Sequence, residues 1–307
     1  MKPRVIDLFA GCGGFSHGFQ KAGFEILGFV ENWPPAVTTF LKNHPETVHL
    51  GEDITQIPDE TFQKYRDKVE IIVGGPPCQG FSYCGKRDTN DKRNQLYKEY
   101  LRAIKLIQPE MAIMENVTGI LTMKDSDNEK VINKIINNFI KLGYFVSYKV
   151  LKTSDYGIAQ NRVRLILIAK KINLFPEPKK DKKGVIEAIS NIKSDCNAHV
   201  YFNPKKKTLE KIRKLKQGER ISKNYNFSRQ RLFANKPSKT IPTKAIYIHP
   251  YEDRFLTPRE LARLQSFPDD FHFTGSKTNV VKQIGNAVPP LLSYTIAEKI
   301  KEDLKNV

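Results

Sequence analysis

The sequence predicts an α/β fold: an open, mostly parallel sheet with helices on its faces, joined to a smaller basic segment. Three observations carry that reading. Short apolar runs alternate with amphipathic stretches through the first half, which is the rhythm of βα units. A glycine-rich turn follows the first apolar run, where such sheets bind nucleotides. Beyond residue 170 the rhythm stops and lysine takes over.

In order along the chain, residues 5–9 read as a buried strand and 14–22 as the helix it feeds. Residues 25–31 form a second strand, and Pro34-Pro35 suit the start of a helix running to 43. Residues 71–74 are a short buried strand. Leu96, Tyr100, Ile104 and Ile107 recur at helical spacing, which predicts an amphipathic helix over 93–108. Residues 111–115 read as a strand, 131–142 as a helix, and 144–151 and 163–169 as two more strands. At Asn173-Leu-Phe-Pro-Glu-Pro178 the pattern breaks, and helical periodicity resumes only over 258–265 and 287–301. This predicts a large domain over 1–182 and a small basic domain over 183–257. A closing segment over 258–307 then ends in a helix that packs back on the sheet.

The 307 residues are 39% hydrophobic, enough for one large and one small core. No run of about 18 apolar residues occurs, so no membrane span is expected. The opening Met1-Lys-Pro-Arg-Val-Ile-Asp7 reads as the start of the fold and not as an export signal. Cys12, Cys78, Cys84 and Cys196 form no CxxC pair, and the six histidines are scattered. The expectation is a cytoplasmic protein without a bound metal. Net charge is +18, and its distribution is informative. Residues 170–245 hold 21 Lys+Arg against 6 Asp+Glu, while the other 231 residues hold 30 against 27. So local an excess favours a nucleic-acid partner.

Four motifs carry chemistry. The first is Asp7-Leu-Phe-Ala-Gly-Cys-Gly-Gly-Phe15, in which Gly11, Gly13 and Gly14 permit close backbone approach to a ligand. Glu31 follows Gly13 by 18 positions, at the end of the second strand, where a carboxylate suits ribose hydroxyls. The glycines are not spaced G-x-G-x-x-G, so a nucleoside without phosphates, such as S-adenosylmethionine, fits better than a dinucleotide. The turn reads either as a ligand cradle or as a tight βα turn without one; Trp33 offers a stacking or edge contact, and Asp53, with Ile54, reads either as an adenine contact or as an ordinary surface acid. The second motif is Gly74-Gly-Pro-Pro-Cys-Gln-Gly-Phe-Ser82, which holds Cys78 in a stiff loop after a buried strand. Its thiol reads either as an inert core group or as a nucleophile. The third is Met114-Glu-Asn-Val117, where Glu115 is either a paired structural acid or a working one. The fourth is Gln160-Asn-Arg-Val-Arg164, with Arg162 and Arg164 on one face. They read either as an ion-paired strand face or as part of a site.

At these motifs the chain resembles the DNA (cytosine-5) methyltransferases, in particular the compact prokaryotic enzymes of restriction–modification systems. The likeness continues in Arg93-Asn-Gln-Leu-Tyr97 and Lys236-Pro-Ser-Lys-Thr-Ile-Pro-Thr243. It ends with Leu256-Thr-Pro-Arg-Glu-Leu-Ala-Arg-Leu-Gln-Ser-Phe-Pro268 and Gln283-Ile-Gly-Asn-Ala-Val-Pro-Pro290. Only about 172–227 falls outside it. The resemblance implies a class I S-adenosylmethionine-methyltransferase domain with a mixed, Rossmann-like sheet and a small target-recognition domain. It implies that Phe9, Gly11, Glu31, Trp33, Asp53, Pro76, Leu96, Asn286 and Val288 line the S-adenosylmethionine site, with S-adenosylhomocysteine as product. It implies that Cys78 attacks C6 of a flipped-out cytosine in double-stranded DNA, with Glu115 on the N3 edge, Arg164 on O2 and Arg162 orienting the site. Gln79, Ser82, Lys205, Lys206, Lys207, Arg229 and Arg231 are the expected DNA contacts. A monomer and a cognate restriction endonuclease acting on the same site are expected. Three rivals stand beside this reading: a tRNA cytosine-5 methyltransferase, a catalytically inactive DNA-binding homologue, and an NAD-dependent oxidoreductase.

Overall fold

The computed structural model describes residues 2–77, 96–125, 128–170, 175–179, 181–201, 204–222, 229–244 and 246–305. Five parallel strands open the sheet: β1 (Arg4–Leu8), β2 (Glu25–Val30), β3 (Val48–Gly51), β4 (Ile71–Gly74) and β5 (Met111–Asn116). They are followed by β6 (Val146–Lys152), β7 (Gln160–Asn161) and β8 (Val163–Ala169). β8 inserts antiparallel between β5 and β6, so among the described residues the sheet has seven strands in the order β3-β2-β1-β4-β5-β8-β6. The expected mixed α/β sheet is therefore present. β7 instead pairs with β9 (Ser238–Lys239), stitching the end of the sheet region to the later chain.

Alternation along the strands sorts side chains into two cores. Ala112, Met114, Leu165 and Leu167 face one side of the sheet. There they pack with α4 (Leu96–Ile107) and α5 (Val131–Lys141) through Tyr100, Ile104, Ile135 and Phe139. Met111, Ile113, Ile166 and Ile168 face the other side, against α1 (Gly14–Lys21) through Phe15 and Phe19, and against α2 (Pro34–Asn43) through Phe40. The short α3 (Asp59–Gln63) packs beside α4. No helix among the described residues is long and apolar enough to cross a membrane.

A third core lies beyond the sheet. It joins α6 (Val185–Ile189), Leu232, Ile241 and Tyr247 to α8 (Pro258–Leu264) and α9 (Lys277–Asn286). Between these elements runs α7 (Lys206–Arg213). α8 starts where its sequence dictates. Thr257 accepts from the Glu260 backbone, Glu260 answers to the Thr257 backbone, and Pro258 fills the first turn. Arg259 is fully buried, its guanidinium donating to the carbonyls of Asn197, Pro268 and Phe271. The last helix, α10 (Pro290–Lys305), returns to pack along α1. The contact is close enough to require glycine: a Cβ on Gly18 would stand 2.5 Å from Pro290 O.

Several elements depart from expectation. β3 went unpredicted, because Val48-His-Leu-Gly51 is short and Val48 is exposed. α9 went unpredicted too. The helix expected over 287–301 begins instead at Pro290, since Ala287 has left helical conformation (ψ 147°) to cap α9. The 93–95 start of the helix expected over 93–108 lies outside the described residues.

Candidate active site

The site is built at the carboxyl ends of β1, β2, β4 and β5. After β1 the chain turns through left-handed backbone at Phe9 (φ 61°), Gly11 (φ 57°) and Gly13 (φ 93°). Phe9 carries strain that glycine would not. A Cβ on Gly11 would meet nothing within 4 Å, so open space lies over that residue. A Cβ on Gly14 would come within 2.3 Å of Val288 O, so this glycine lets the segment before α10 press on the start of α1.

The Glu31 carboxylate closes this loop. Oε2 accepts from the Gly11 N–H at 2.9 Å and Oε1 from the Trp33 N–H at 2.8 Å. Burial pushes its pKa up, and the donors of Trp33, Gly11 and Asn32 pull it back. Asp7, at the end of β1, opens the first motif, though its sequence context gave it no role. It is fully buried, accepts from Ser16 Oγ at 2.7 Å, and burial pushes its pKa up to about 7. Asp53 uses Oδ1 to cap the short turn at Ile54–Gln56, accepting from Thr55, while Ile54 is buried in the first core. Leu96 packs at the edge of that core. Val288 is buried against α1, and Asn286 is exposed. Of the residues that resemblance places on S-adenosylmethionine, Gly11, Glu31 and Trp33 are joined directly by hydrogen bonds. A carboxylate held by two backbone donors beside open space over a glycine fits the hydroxyls of a nucleoside ribose.

A second group lies across β5. Glu115 is 9% exposed and paired by register with Ile166 of β8, which carries Arg164. Arg164 Nε lies 2.8 Å from Glu115 Oε1, and Arg162 Nη2 3.7 Å from the same oxygen. The first contact is off-line and the second too long for a hydrogen bond, so Oε1 is buried with no hydrogen bond among the described residues. The other carboxylate oxygen, Oε2, lies 3.4 Å from where a Cβ on Gly75 would stand, three residues before Cys78. Asn116 Nδ2 donates to Pro76 O at 3.2 Å and ties β5 to the same loop.

Arg162 is 2% exposed, and burial first, then the charge of Arg164, lowers its pKa to about 9. It donates to Gly285 O at 2.9 Å and Asn286 O at 3.4 Å, clamping the end of α9 to the Glu115 pocket. Gln160, at the head of the fourth motif, is fully buried. Its amide meets Gln265 Oε1, and its Oε1 accepts from Ile241 N at 2.9 Å. Sequence reading gave it no role, though a glutamine opening a strand that leads to two arginines was the available signal.

The expected DNA contacts separate. Cys78, Gln79 and Ser82 lie outside the described residues. Lys205, Lys206 and Lys207 are exposed at the start of α7, and Arg229 is exposed with its guanidinium 5.4 Å from the Phe255 ring. Arg231 corrects its expectation. It is 5% exposed and donates to the carbonyls of Ile212, His249 and Glu252 and to Asp253 Oδ1. With those donors engaged inside the protein, it is a structural cation and not a phosphate ligand.

Comparison with known proteins bears on family and fold. The family model described as C-5 cytosine-specific DNA methylase matches residues 3–302. The type II methyltransferase M1.HphI of Haemophilus parahaemolyticus is 38% identical over 98% of this chain and 87% of its own length. M.DdeI of Desulfomicrobium norvegicum, also a type II methyltransferase, is 32% identical over 99% of this chain and 89% of its own. Among solved structures, a prophage-encoded E. coli chain described as a DNA modification methyltransferase superposes with a TM-score of 0.83 at 28% identity, covering 99% and 100% of the two chains. Entamoeba histolytica EhMeth superposes with a TM-score of 0.73 at 17% identity, covering 99% of each chain, a likeness of fold.

Proposed function

We propose that this chain, which belongs to the C-5 cytosine-specific DNA methylase family, works through Cys78 as a transient nucleophile on a cytosine swung out of its duplex. It is a DNA (cytosine-5) methyltransferase with S-adenosylmethionine as methyl donor. That membership sets aside the oxidoreductase suggested by the glycine turn.

The observation that carries the reading is the Glu115 pocket: a buried carboxylate with an unbonded Oε1, flanked by two arginines and set against the loop that leads to Cys78. Cytosine matches it edge for edge. Its N4 amine donates to an acceptor such as Oε1, its N3 shares a proton with the carboxyl group, and its O2 accepts from an arginine. Arg164 takes that last role, and Arg162 holds the carboxylate and the end of α9 in place.

The residue types follow from the chemistry. C5 of cytosine is a weak nucleophile. Addition of the Cys78 thiolate forms the S–C6 bond and pushes the ring electrons toward C5. Glu115 and Arg164 offset the negative charge that develops along the N3–C2–O2 edge. S-adenosylmethionine supplies an electrophilic methyl group on a sulfonium, with Gly11, Glu31 and Trp33 as its holders. Loss of the C5 proton to solvent then expels Cys78 and restores the aromatic ring. The reacting atoms lie inside the base stack, so the base must leave it at a cost of a few kcal/mol. Exposed lysines such as Lys205–Lys207 help to offset that cost through phosphates. We further assign the large domain to 1–182 and target recognition to the basic segment 183–257. The setting is the cytoplasm, and the enzyme acts as a monomer alongside an endonuclease of the same specificity.

The test is a pair of assays with labelled S-adenosylmethionine. Wild-type protein labels duplex DNA and not tRNA, and Cys78→Ala binds duplex DNA and S-adenosylmethionine without transferring label. Turnover by Cys78→Ala near the wild-type rate refutes the nucleophile, and labelling of tRNA in preference to DNA refutes the substrate.

A further inference from the structure

Trp33 is the one tryptophan of the chain, and it stands where the methyl-donor side of the site meets α9. Its backbone N–H is held by Glu31 and it leads directly into α2. The Lys282 ammonium of α9 lies 4.1 Å from the centroid of its indole. The next residue, Gln283, donates from Nε2 to Pro35 O at 3.2 Å and to Thr274 O at 3.0 Å. Two consecutive residues of α9 thus grip the start of α2, one through the ring and one through the backbone. A few residues on, the carbonyls of Gly285 and Asn286 are held by Arg162. The C-terminal half of α9 therefore touches the donor side through Lys282 and Gln283 and the Glu115 pocket through Gly285 and Asn286.

We propose that Lys282 is a positioning residue for the methyl donor. Its ammonium occupies one face of the Trp33 indole, fixes the ring, and leaves the rest of the ring ready for the ligand. This rests on the reading of Trp33 as part of the S-adenosylmethionine site. Lys282 touches the ring and not the reacting atoms, so it acts on binding and not on bond making. The contact is cationic in origin. An arginine retains it, and a methionine, of similar length and helix propensity but uncharged, does not.

The test uses the full-length protein and the fluorescence of Trp33, which no other indole obscures. Lys282→Met is expected to change the emission of the free protein. It is also expected to raise the Kd for S-adenosylmethionine and S-adenosylhomocysteine, and the KM for the former, by about threefold, as removal of an exposed cation–π interaction implies. Turnover at saturating donor stays at the wild-type value. Lys282→Arg returns emission and KM towards wild type, and in a Trp33→Leu background Lys282→Met has no further effect. An unchanged KM in Lys282→Met overturns the proposal, as does a fall in kcat with KM unchanged, or an arginine variant no better than methionine. The underlying reading fails by a different result, and takes the proposal with it. In that case S-adenosylmethionine leaves the wild-type Trp33 emission untouched and Trp33→Leu binds the donor normally.

Discussion

Arg162→Met removes the clamp between the Glu115 pocket and α9, and its cost can be worked from the geometry. The guanidinium makes one good hydrogen bond, to Gly285 O at 2.9 Å, and one weak one, to Asn286 O at 3.4 Å. Bonds from a charged donor contribute roughly 1.5–3 kcal/mol when well formed, so the pair contributes about 2–3 kcal/mol. Glu115 also loses one of its two cations. Breaking a buried pair costs roughly 3–5 kcal/mol when the survivor is left uncompensated. Here Arg164 remains 2.8 Å away, which keeps the total near the low end, about 3 kcal/mol. Relief of the desolvation that lowers the Arg162 pKa works in the opposite direction and argues against a larger figure. Equilibrium urea unfolding read from Trp33 emission measures the loss. With a slope of about 1–3 kcal/mol/M, the midpoint falls by about 1 M or more. A loss under about 1 kcal/mol, or a gain, refutes the clamp and makes Arg162 an ordinary buried cation.

Asp7 binds its proton more tightly folded (about 7) than unfolded (3.8), so its contribution to stability is full below pH 4 and is lost as pH rises towards 7. Asp7→Asn should remove that fall, up to about 4 kcal/mol by denaturant titration across the window, and an identical pH profile in the variant contradicts it. Burial of His44 lowers its pKa to about 4, below the unfolded 6.5, so stability is lost as pH falls through that window and His44→Phe should flatten the acid limb of the same titration. Gly14→Ala drives a Cβ onto the Val288 carbonyl and should cost at least about 1–3 kcal/mol by thermal melting, together with weaker donor binding. Replacing Lys205, Lys206 and Lys207 by Ala should lower the slope of log Kd against log salt by about 0.9 for each phosphate they neutralise, whereas Arg231→Ala should lower stability instead.

The sequence made the parallel half of the sheet legible because each strand there is an apolar run next to an amphipathic helix. The antiparallel insertion of β8 was not legible, since Val163–Ala169 carries the same local pattern whichever way it runs; direction is decided by pairing with Met111–Asn116. α9 escaped notice because Lys277-Thr-Asn-Val-Val-Lys-Gln-Ile-Gly-Asn286 has few apolar positions, and its buried Gln283 and Gly285 do not mark a helix face. In the candidate site, the grouping of Gly11 with Glu31 and of Glu115 with Arg162 and Arg164 follows from positions at strand ends and on one strand face, whereas their roles come from the family resemblance. Arg231 was misread for the converse reason. Charge counting cannot tell a solvated guanidinium from one whose donors are met by the carbonyls of Ile212 and His249. The tie from Arg162 to the end of α9 spans 123 positions of chain and is visible only in three dimensions.

We propose that Cys78 bonds to C6 and leaves only when the C5 proton does. Duplex DNA carrying 5-fluorocytosine at the methylated position has no such proton to lose. Wild-type protein incubated with it and S-adenosylmethionine should form a denaturation-resistant complex, and mass spectrometry of the digest should place the nucleotide on Cys78. A complex attached elsewhere rules out the Cys78–C6 bond, and so does the absence of any complex while ordinary cytosine in the same sequence is methylated.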